Sequence, residues 1–442
     1  MKLFSNLKVI KENYISLLLS LIPISLIAGN MVINITIILI ILSGLIFFFN
    51  GIFKIKYFFL DKLIFLFFIL TLCIGIYNDI FLFINHNDFS LDRGIYSTTI
   101  KSFLFLRFLF LYLIIRILIQ KDLLNFKIFF FVCSLCGLFV CLDIFVQLLT
   151  GTDFFGHEVD DRFRKLGGPF GDEYIAGGYI QRFSLFAFFI IPAFYSEKSK
   201  KIYYFWIFIL FLIFFAGITF SGNRMPLILF FLTLLLFFIF EIKDKKKILS
   251  FILVGVVTFF LIFNFNIKVK KNFDNFFIMG KNLIISSVDK NMDYSYLPYY
   301  NEFNSGYNTW LVNKTFGGGI KNFNFYCYKS NKKFETNYTC NTHPHNYYLE
   351  ILTETGLIGF LSMLSILIII LYLSFIKKYF LRSSLKDNVI ITPFIFLFFS
   401  EIFPLKSTGS FFTTGNASYI FLIIAVLVGL IQKENSFENK YH

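Results

Sequence analysis

Charge is scarce in this chain. Lys, Arg, Asp and Glu together make up 15% of its 442 residues, while 57% are hydrophobic. A soluble core of that size would need far more polar cover, which excludes a water-soluble globule and predicts a polytopic membrane protein. Histidine is rarer still. There are five, and two of them flank Pro344 just ahead of an apolar run. No small-residue cleavage site separates the first apolar run from the second, so no cleavable signal peptide is expected. Internal repeats and low-complexity linkers are also missing. The string Gly317 to Phe323 (GGGIKNF) has neither the GK[ST] nor the strand–helix context of a nucleotide loop. It reads instead as a tight turn that brings backbone close to the membrane surface. His343 and His345 have no Asp, Glu or Cys neighbour at ligand spacing, so no metal and no cofactor are expected. The net charge of +14 does not signal nucleic acid, because the lysines sit in short loops between apolar runs. That is the pattern of topology determinants and of contacts with anionic membrane lipids.

What is present is one apolar run after another. Twelve spans are expected at roughly 14–29, 31–49, 62–78, 103–119, 128–149, 175–195, 202–219, 226–240, 248–265, 347–375, 390–405 and 416–432. Lysine-rich short loops alternate with lysine-poor ones, which predicts that both termini are cytoplasmic and that 79–102, 150–174, 220–225, 266–346 and 406–415 face outward. Three parts follow: residues 1–265 with nine spans, a large outward loop 266–346, and residues 347–442 with three more spans and a cytoplasmic tail. The loop should form a small, partly helical cap. Cys73, Cys133, Cys136 and Cys141 lie in apolar spans, where plain packing is the expected role. Cys327 and Cys340 lie in the outward loop, an oxidising compartment in a bacterial envelope, and are expected to form a disulfide.

His345 stands where a membrane helix should begin, near Asn346 or Tyr347, with Pro344 fitting the helix start. The partial positive charge of a helix N-terminus disfavours a protonated imidazole, so the position suits a general base; an interfacial polar cap is the alternative. Gly356 lies eleven residues on, about three helical turns, and Gly359 one turn further, so both are expected to share His345's face and to admit a helix or a lipid chain. Arg162 and Arg164 sit in an outward loop with Gly167, Gly168 and Gly171, and Arg224 lies at the edge of a span. Arginine's planar fork suits phosphate oxygens. Arg164 and Arg224 are candidates for that role, and Arg162 reads as a headgroup or substrate contact. Arg107, Arg182 and Glu401 are buried charges that either pair structurally or, as with Arg182, contact substrate. Glu350 and Glu354 are expected to complement the N-terminus of the His345 helix.

His345-Asn346, nine residues, then Gly356-Leu357-Ile358-Gly359 resembles the signature of the O-antigen ligase family. The twelve spans and the large loop between the ninth and tenth resemble that family's layout. Residues 164–178 look like its arginine–glycine segment, and Ser221 to Ile228 (SGNRMPLI) resembles its S-R-x-x-x-L element. There Ile228 replaces the leucine, and Asn223 stands where a serine usually precedes the arginine. The resemblance implies an all-α, C-type glycosyltransferase-like fold and transfer of a glycan from a polyprenyl pyrophosphate carrier. His345, Arg224 and Arg164 would be catalytic; Asn346, Gly356, Gly359, Arg162 and Arg182 would contact substrate. The acceptor would be a lipid A core in a ligase, another carrier-linked repeat in an O-antigen polymerase, or a protein in an O-oligosaccharyltransferase. A transporter or flippase should instead show two similar halves, and none is visible.

Overall fold

Backbone polar groups have no water to bond with in a bilayer core, so apolar runs that cross it must close their hydrogen bonds within helices. The computed structural model describes residues 2–84, 97–159, 165–195, 200–288, 298–336, 338–381, 384–407 and 409–441, and among these there is no strand. Among the described residues, ten helical segments are long and apolar enough to cross a membrane, and the apolar stretch Asn13–Ala28 and the shorter apolar helix Ile391–Glu401 lie at the first and eleventh expected spans. The chain is an all-α, multi-pass membrane protein.

Two compact units interleave along the chain. The first comprises residues 1–40, 122–291 and 384–400. Its centre is α6 (Phe126–Thr150), packed against α1 (Lys2–Ala28), α7 (Ala176–Phe183), α8 (Leu185–Phe194) and α9 (Lys200–Phe220). Further helices are α10 (Arg224–Phe237), α11 (Lys245–Phe265) and α12 (Ile267–Val288). Asn125 starts α6 by accepting from the Lys127 and Ile128 amides, and Gly151 ends it in the left-handed conformation. The phenylalanine-rich sequence shows in its interior, where Phe129, Phe130 and Phe186 gather around Phe394.

The second unit comprises residues 41–121, 292–383 and 401–442. Its helices are α3 (Phe59–Ile84), α4 (Ser97–Phe105), α5 (Arg107–Gln120), α13 (Pro298–Val312), α14 (Phe323–Phe334), α15 (Tyr347–Leu371) and α18 (Thr414–Tyr441). α5 packs on α18, α3 on α4 and α15, and α13 on α14 and α15. A buried polar cluster ties three of them together: Asp61 accepts from Arg116 Nε at 3.1 Å, from the Tyr112 hydroxyl and from Gln432 Nε2 at 3.0 Å. The expected cap is helical over most of its described length, through α12, α13 and α14.

The apolar helix that follows His345 runs 34 residues, Tyr347–Phe380. At 1.5 Å per residue that is roughly 50 Å, well beyond a hydrocarbon core of about 30 Å. It breaks at Gly356, where φ is 65° and ψ is −172°, a region essentially restricted to glycine. The GGG turn fills the break. The Gly318 amide donates to the Thr353 carbonyl at 2.9 Å and the Gly319 amide to the Glu354 carbonyl at 2.8 Å, while the Leu357 amide donates to the Lys314 carbonyl at 2.9 Å. The Thr353 and Glu354 carbonyls and the Leu357 amide thereby have partners at the kink. The turn is held from its other side by Asn78 of α3, which donates to the Gly317 carbonyl at 3.2 Å, and by Asn322, which donates to Thr98 Oγ1 at 2.9 Å. The sequence expectation for Gly356 is therefore corrected. The kink breaks helical phase, so counting turns from His345 does not place Gly356 on its face, and what approaches Gly356 is the glycine turn. A Cβ at Gly356 would lie 2.2 Å from the Thr315 carbonyl oxygen, and one at Gly317 2.4 Å from the Gly356 amide nitrogen. Gly356→Ala is expected to destabilise by at least about 1–3 kcal/mol from backbone strain alone, and the clash with Thr315 adds to it. Thermal unfolding in detergent should show a Tm well below wild type.

Candidate functional site

His345 is held in the second unit by the segment that starts α15. Asn346 is the N-cap: its side-chain oxygen accepts from the Tyr348 amide at 3.0 Å and the Leu349 amide at 3.2 Å. Its Nδ2 donates to the Pro404 carbonyl at 2.9 Å and the Lys406 carbonyl at 3.4 Å. The donors and acceptors of Asn346 thus tie the helix start to the 402–406 loop, and Pro344 lies two residues before the cap rather than in the first turn. Beneath the cap, Glu401 accepts from Lys406 Nζ at 2.5 Å and from the Tyr347 hydroxyl at 2.7 Å, all three side chains buried. Glu401 is therefore a structural ion pair. Arg107 is likewise engaged, with Nη2 donating to Thr414 Oγ1 at 3.1 Å and Nη1 to the Leu104 carbonyl at 2.8 Å.

His345 itself has φ of 52°, a left-handed conformation uncommon for a side chain of its size. Its ring lies 4.3 Å from that of His343. Burial, then the neighbouring His345, pushes His343 down to about 4, so His343 is neutral at physiological pH. Its Nδ1 is 3.0 Å from Thr342 Oγ1, and its Nε2 is buried with no hydrogen-bond partner.

Glu350 and Glu354 do not sit at the helix mouth as charge complements. Both are 1% exposed. Glu350 accepts from Ser410 Oγ and from the Phe411 amide at 2.5 Å. The Glu354 carboxyl is buried, and neither of its oxygens has a hydrogen-bond partner among the described residues. The kink at Gly356 directs this first stretch of α15 into protein, which sequence position alone does not reveal. Gly359 is buried too, and a Cβ there would meet Thr355 Oγ1 at 2.3 Å. Cys327 and Cys340 form a disulfide, with Cα atoms 5.6 Å apart, five residues before His345. For a bridge spanning 13 residues, Cys327→Ser is expected to cost about 3 kcal/mol, the chain-entropy value for a loop near that length. Labelling of Cys340 by a thiol reagent without prior reduction, with a lowered Tm, checks this.

Arg224 belongs to the first unit. It is the first residue of α10, and the two residues before it are built into the fold. The Gly177 amide donates to Asn223 Oδ1 at 3.0 Å, and Asn223 Nδ2 donates to the Tyr174 carbonyl at 3.0 Å. A Cβ on Gly177 would come within 2.4 Å of Ser221 Oγ, so only glycine admits this approach. Asn272 of α12 donates to the Gly222 carbonyl at 2.7 Å. Asn223, the departure from the family pattern, thus bridges two segments where a serine would be too short. Arg224 lies over the Phe276 ring, 5.7 Å from its centroid.

Lys165 is the residue that sequence reasoning passed over, although Arg164 beside it was singled out. Burial, and then the nearby Arg224 guanidinium, hold its ammonium below the ordinary lysine range. Neither cation forms an ion pair or a side-chain hydrogen bond among the described residues, and no acid lies in the first turn of α10. Two half-buried like charges at a positive helix end form an arrangement that an anion stabilises. The loop that carries Lys165 is ordered from α6: Gln147 Oε1 accepts from the Gly168 amide at 3.0 Å, and Asp153 accepts from the His157 amide and its ring Nδ1, both at 2.7 Å. Arg162 and Arg164 lie outside the described residues. Arg182 sits in the last turn of α7, half-buried and engaged within the fold. No group of three metal-ligating side chains occurs among the described residues.

The structure thus shows an all-α, multi-pass membrane protein with a helix-opening histidine in one unit and, in the other, a helix start whose two cations lack a counter-charge among the described residues. Residues 209–364 match the family model described as O-antigen ligase. That segment, just over a third of the chain, contains Arg224, the GGG turn, His345, Asn346, Gly356 and Gly359, and the match supports the resemblance to the O-antigen ligase superfamily. No curated protein matches the chain.

Proposed function

We propose that this protein is an O-antigen ligase: it transfers a glycan from a polyprenyl pyrophosphate carrier to a lipid A core acceptor at the outward face of a bacterial inner membrane. The observation that supports this reading most is the pair Lys165 and Arg224 at the start of α10, cations with no counter-charge among the described residues. A pyrophosphate supplies that charge, and no nucleotide sugar is available outside the cytoplasm, so the donor arrives already activated on a lipid. Arg224 and Arg164 hold the pyrophosphate with bidentate hydrogen bonds, and Lys165 adds a point charge. Arg162 and Arg182 contact the donor more peripherally.

His345 accepts the proton of an acceptor hydroxyl. The oxygen forms a bond to the anomeric carbon from the face opposite the carrier, the bond from that carbon to the phosphate oxygen breaks, and its electron pair leaves with the pyrophosphate. One substitution inverts the anomeric centre. The arginine guanidinium groups would stabilise charge on the leaving group, the kind of electrostatic contribution that is often the largest in catalysis. Chelation is therefore expected to leave activity intact. The kink at Gly356 and the buried residue Gly359 shape the stretch of α15 along which the carrier lipid lies.

A deletion strain tests the reading. A lipopolysaccharide core with no attached repeats, together with polymer accumulating on the carrier, is the expected phenotype. A single repeat on the core identifies a polymerase instead, and an unchanged glycan rejects both.

A further inference from the structure

We propose that Glu302 is the positioning partner of His345, a carboxylate that orients the imidazole and stabilises the imidazolium formed when it takes the acceptor's proton. The proposal rests on the reading of His345 as general base. Glu302 lies on α13, the helix that packs along the start of α15. The close approach is made by Gly306: a Cβ there would come within 3.2 Å of both Pro344 Cβ and Leu349 Cδ1. Glu302 is four residues earlier, one turn back on the same face, and so runs beside the residues just past Pro344. It interacts electrostatically with His345.

Among the described residues, no hydrogen bond or ion pair to another group uses this carboxylate. The hydrogen bond from Ser305 Oγ, at 2.7 Å, goes to the Glu302 backbone carbonyl. Carboxylate Oε2 is buried and has no hydrogen-bond partner. Leaving a buried carboxylate oxygen unmatched is costly, and a positive charge arriving on the neighbouring ring relieves that cost. Burial pushes the Glu302 carboxyl up, and the His345 imidazole pulls it back down, the behaviour of a pair whose charged forms stabilise each other. The other groups near His345 cannot take this part. His343, from its own segment, is held neutral. Lys406 and Glu401, in the loop tied to Asn346, are bonded to each other.

Sequence reading missed Glu302 because it stands in a polar stretch forty-three residues before His345, with no spacing that links the two.

The test is Glu302→Gln, which keeps shape and removes charge, measured for transfer in reconstituted membranes across pH. A carboxylate raises a nearby imidazole's pKa, so its loss should move the acid limb of the kcat/KM profile about one pH unit lower. kcat should fall on the order of tenfold to a hundredfold, part of the roughly 10²–10⁴ that general-base help provides, with KM for both substrates within about twofold. A purely structural residue would not move the pH limb. An unshifted limb and wild-type kcat in E302Q, with H345A inactive, overturns the role of Glu302 alone. Full activity in H345A overturns the reading of His345 beneath it. Should E302Q accumulate poorly, E302D keeps the charge; per folded protein it should hold the wild-type limb and exceed E302Q in kcat, and failure to do either overturns the proposal.

Discussion

His345→Ala is expected to lower kcat by roughly 10²–10⁴-fold, which is about 3–5 kcal/mol of transition-state stabilisation at 1.36 kcal/mol per decade. Donor affinity should stay near wild type, because the imidazole meets the acceptor's hydroxyl proton and not the pyrophosphate. The backbone complicates the variant. His345 has φ of 52°, and alanine at positive φ is strained. Asparagine tolerates that conformation better and cannot act as a base near neutral pH. H345N should therefore fold as wild type does and transfer as poorly as H345A. Single-turnover transfer in liposomes separates the two effects, and H345N activity within threefold of wild type removes His345 from the chemistry.

Arg224→Ala should be nearly as damaging, by a different route. Loss of one preorganised donor to a developing negative charge typically lowers kcat by about 10²–10³-fold, and here donor binding should weaken as well. Arg224→Lys keeps the charge but loses the fork, so it should recover only a small part of the activity. Binding should be measured with the carrier pyrophosphate alone, without its glycan. R224A that binds it as tightly as wild type contradicts the placement of the pyrophosphate. The fold should survive both changes, because Asn223 and Gly222, and not the guanidinium, make the hydrogen bonds that seat the start of α10.

Much of this was legible from apolar runs and a few polar residues. Hydropathy locates the spans because lipid enforces helix wherever twenty or so apolar residues run together. The eleventh span is shorter than expected: its helix runs Ile391–Glu401, where 390–405 was expected. The start of α15 was expected near Asn346 or Tyr347, with Pro344 fitting the helix start; the helix begins at Tyr347, and the side chain that caps it is that of Asn346. Non-local contacts were out of reach. The GGG turn was recognised as a turn, but nothing in the chain says that it docks onto the backbone around Gly356 and splits a 34-residue helix. That single contact changes the meaning of three residues. Gly356 serves a kink and not a smooth face, and Glu350 and Glu354 turn into protein instead of decorating a helix end. Lys165 and Glu302 were invisible for a related reason. A lysine in a basic loop and a glutamate in a polar loop are unremarked until folding half-buries one beside Arg224 and sets the other beside His345.

The most direct measurement is release of the carrier. Purified protein in liposomes is given a polyprenyl pyrophosphate-linked glycan and a lipid A core acceptor, and free polyprenyl pyrophosphate and glycosylated acceptor are counted together. One carrier pyrophosphate should appear for each glycan transferred, in wild type and not in H345N. Glycosylated acceptor formed without carrier release, or equal release in H345N, contradicts the account.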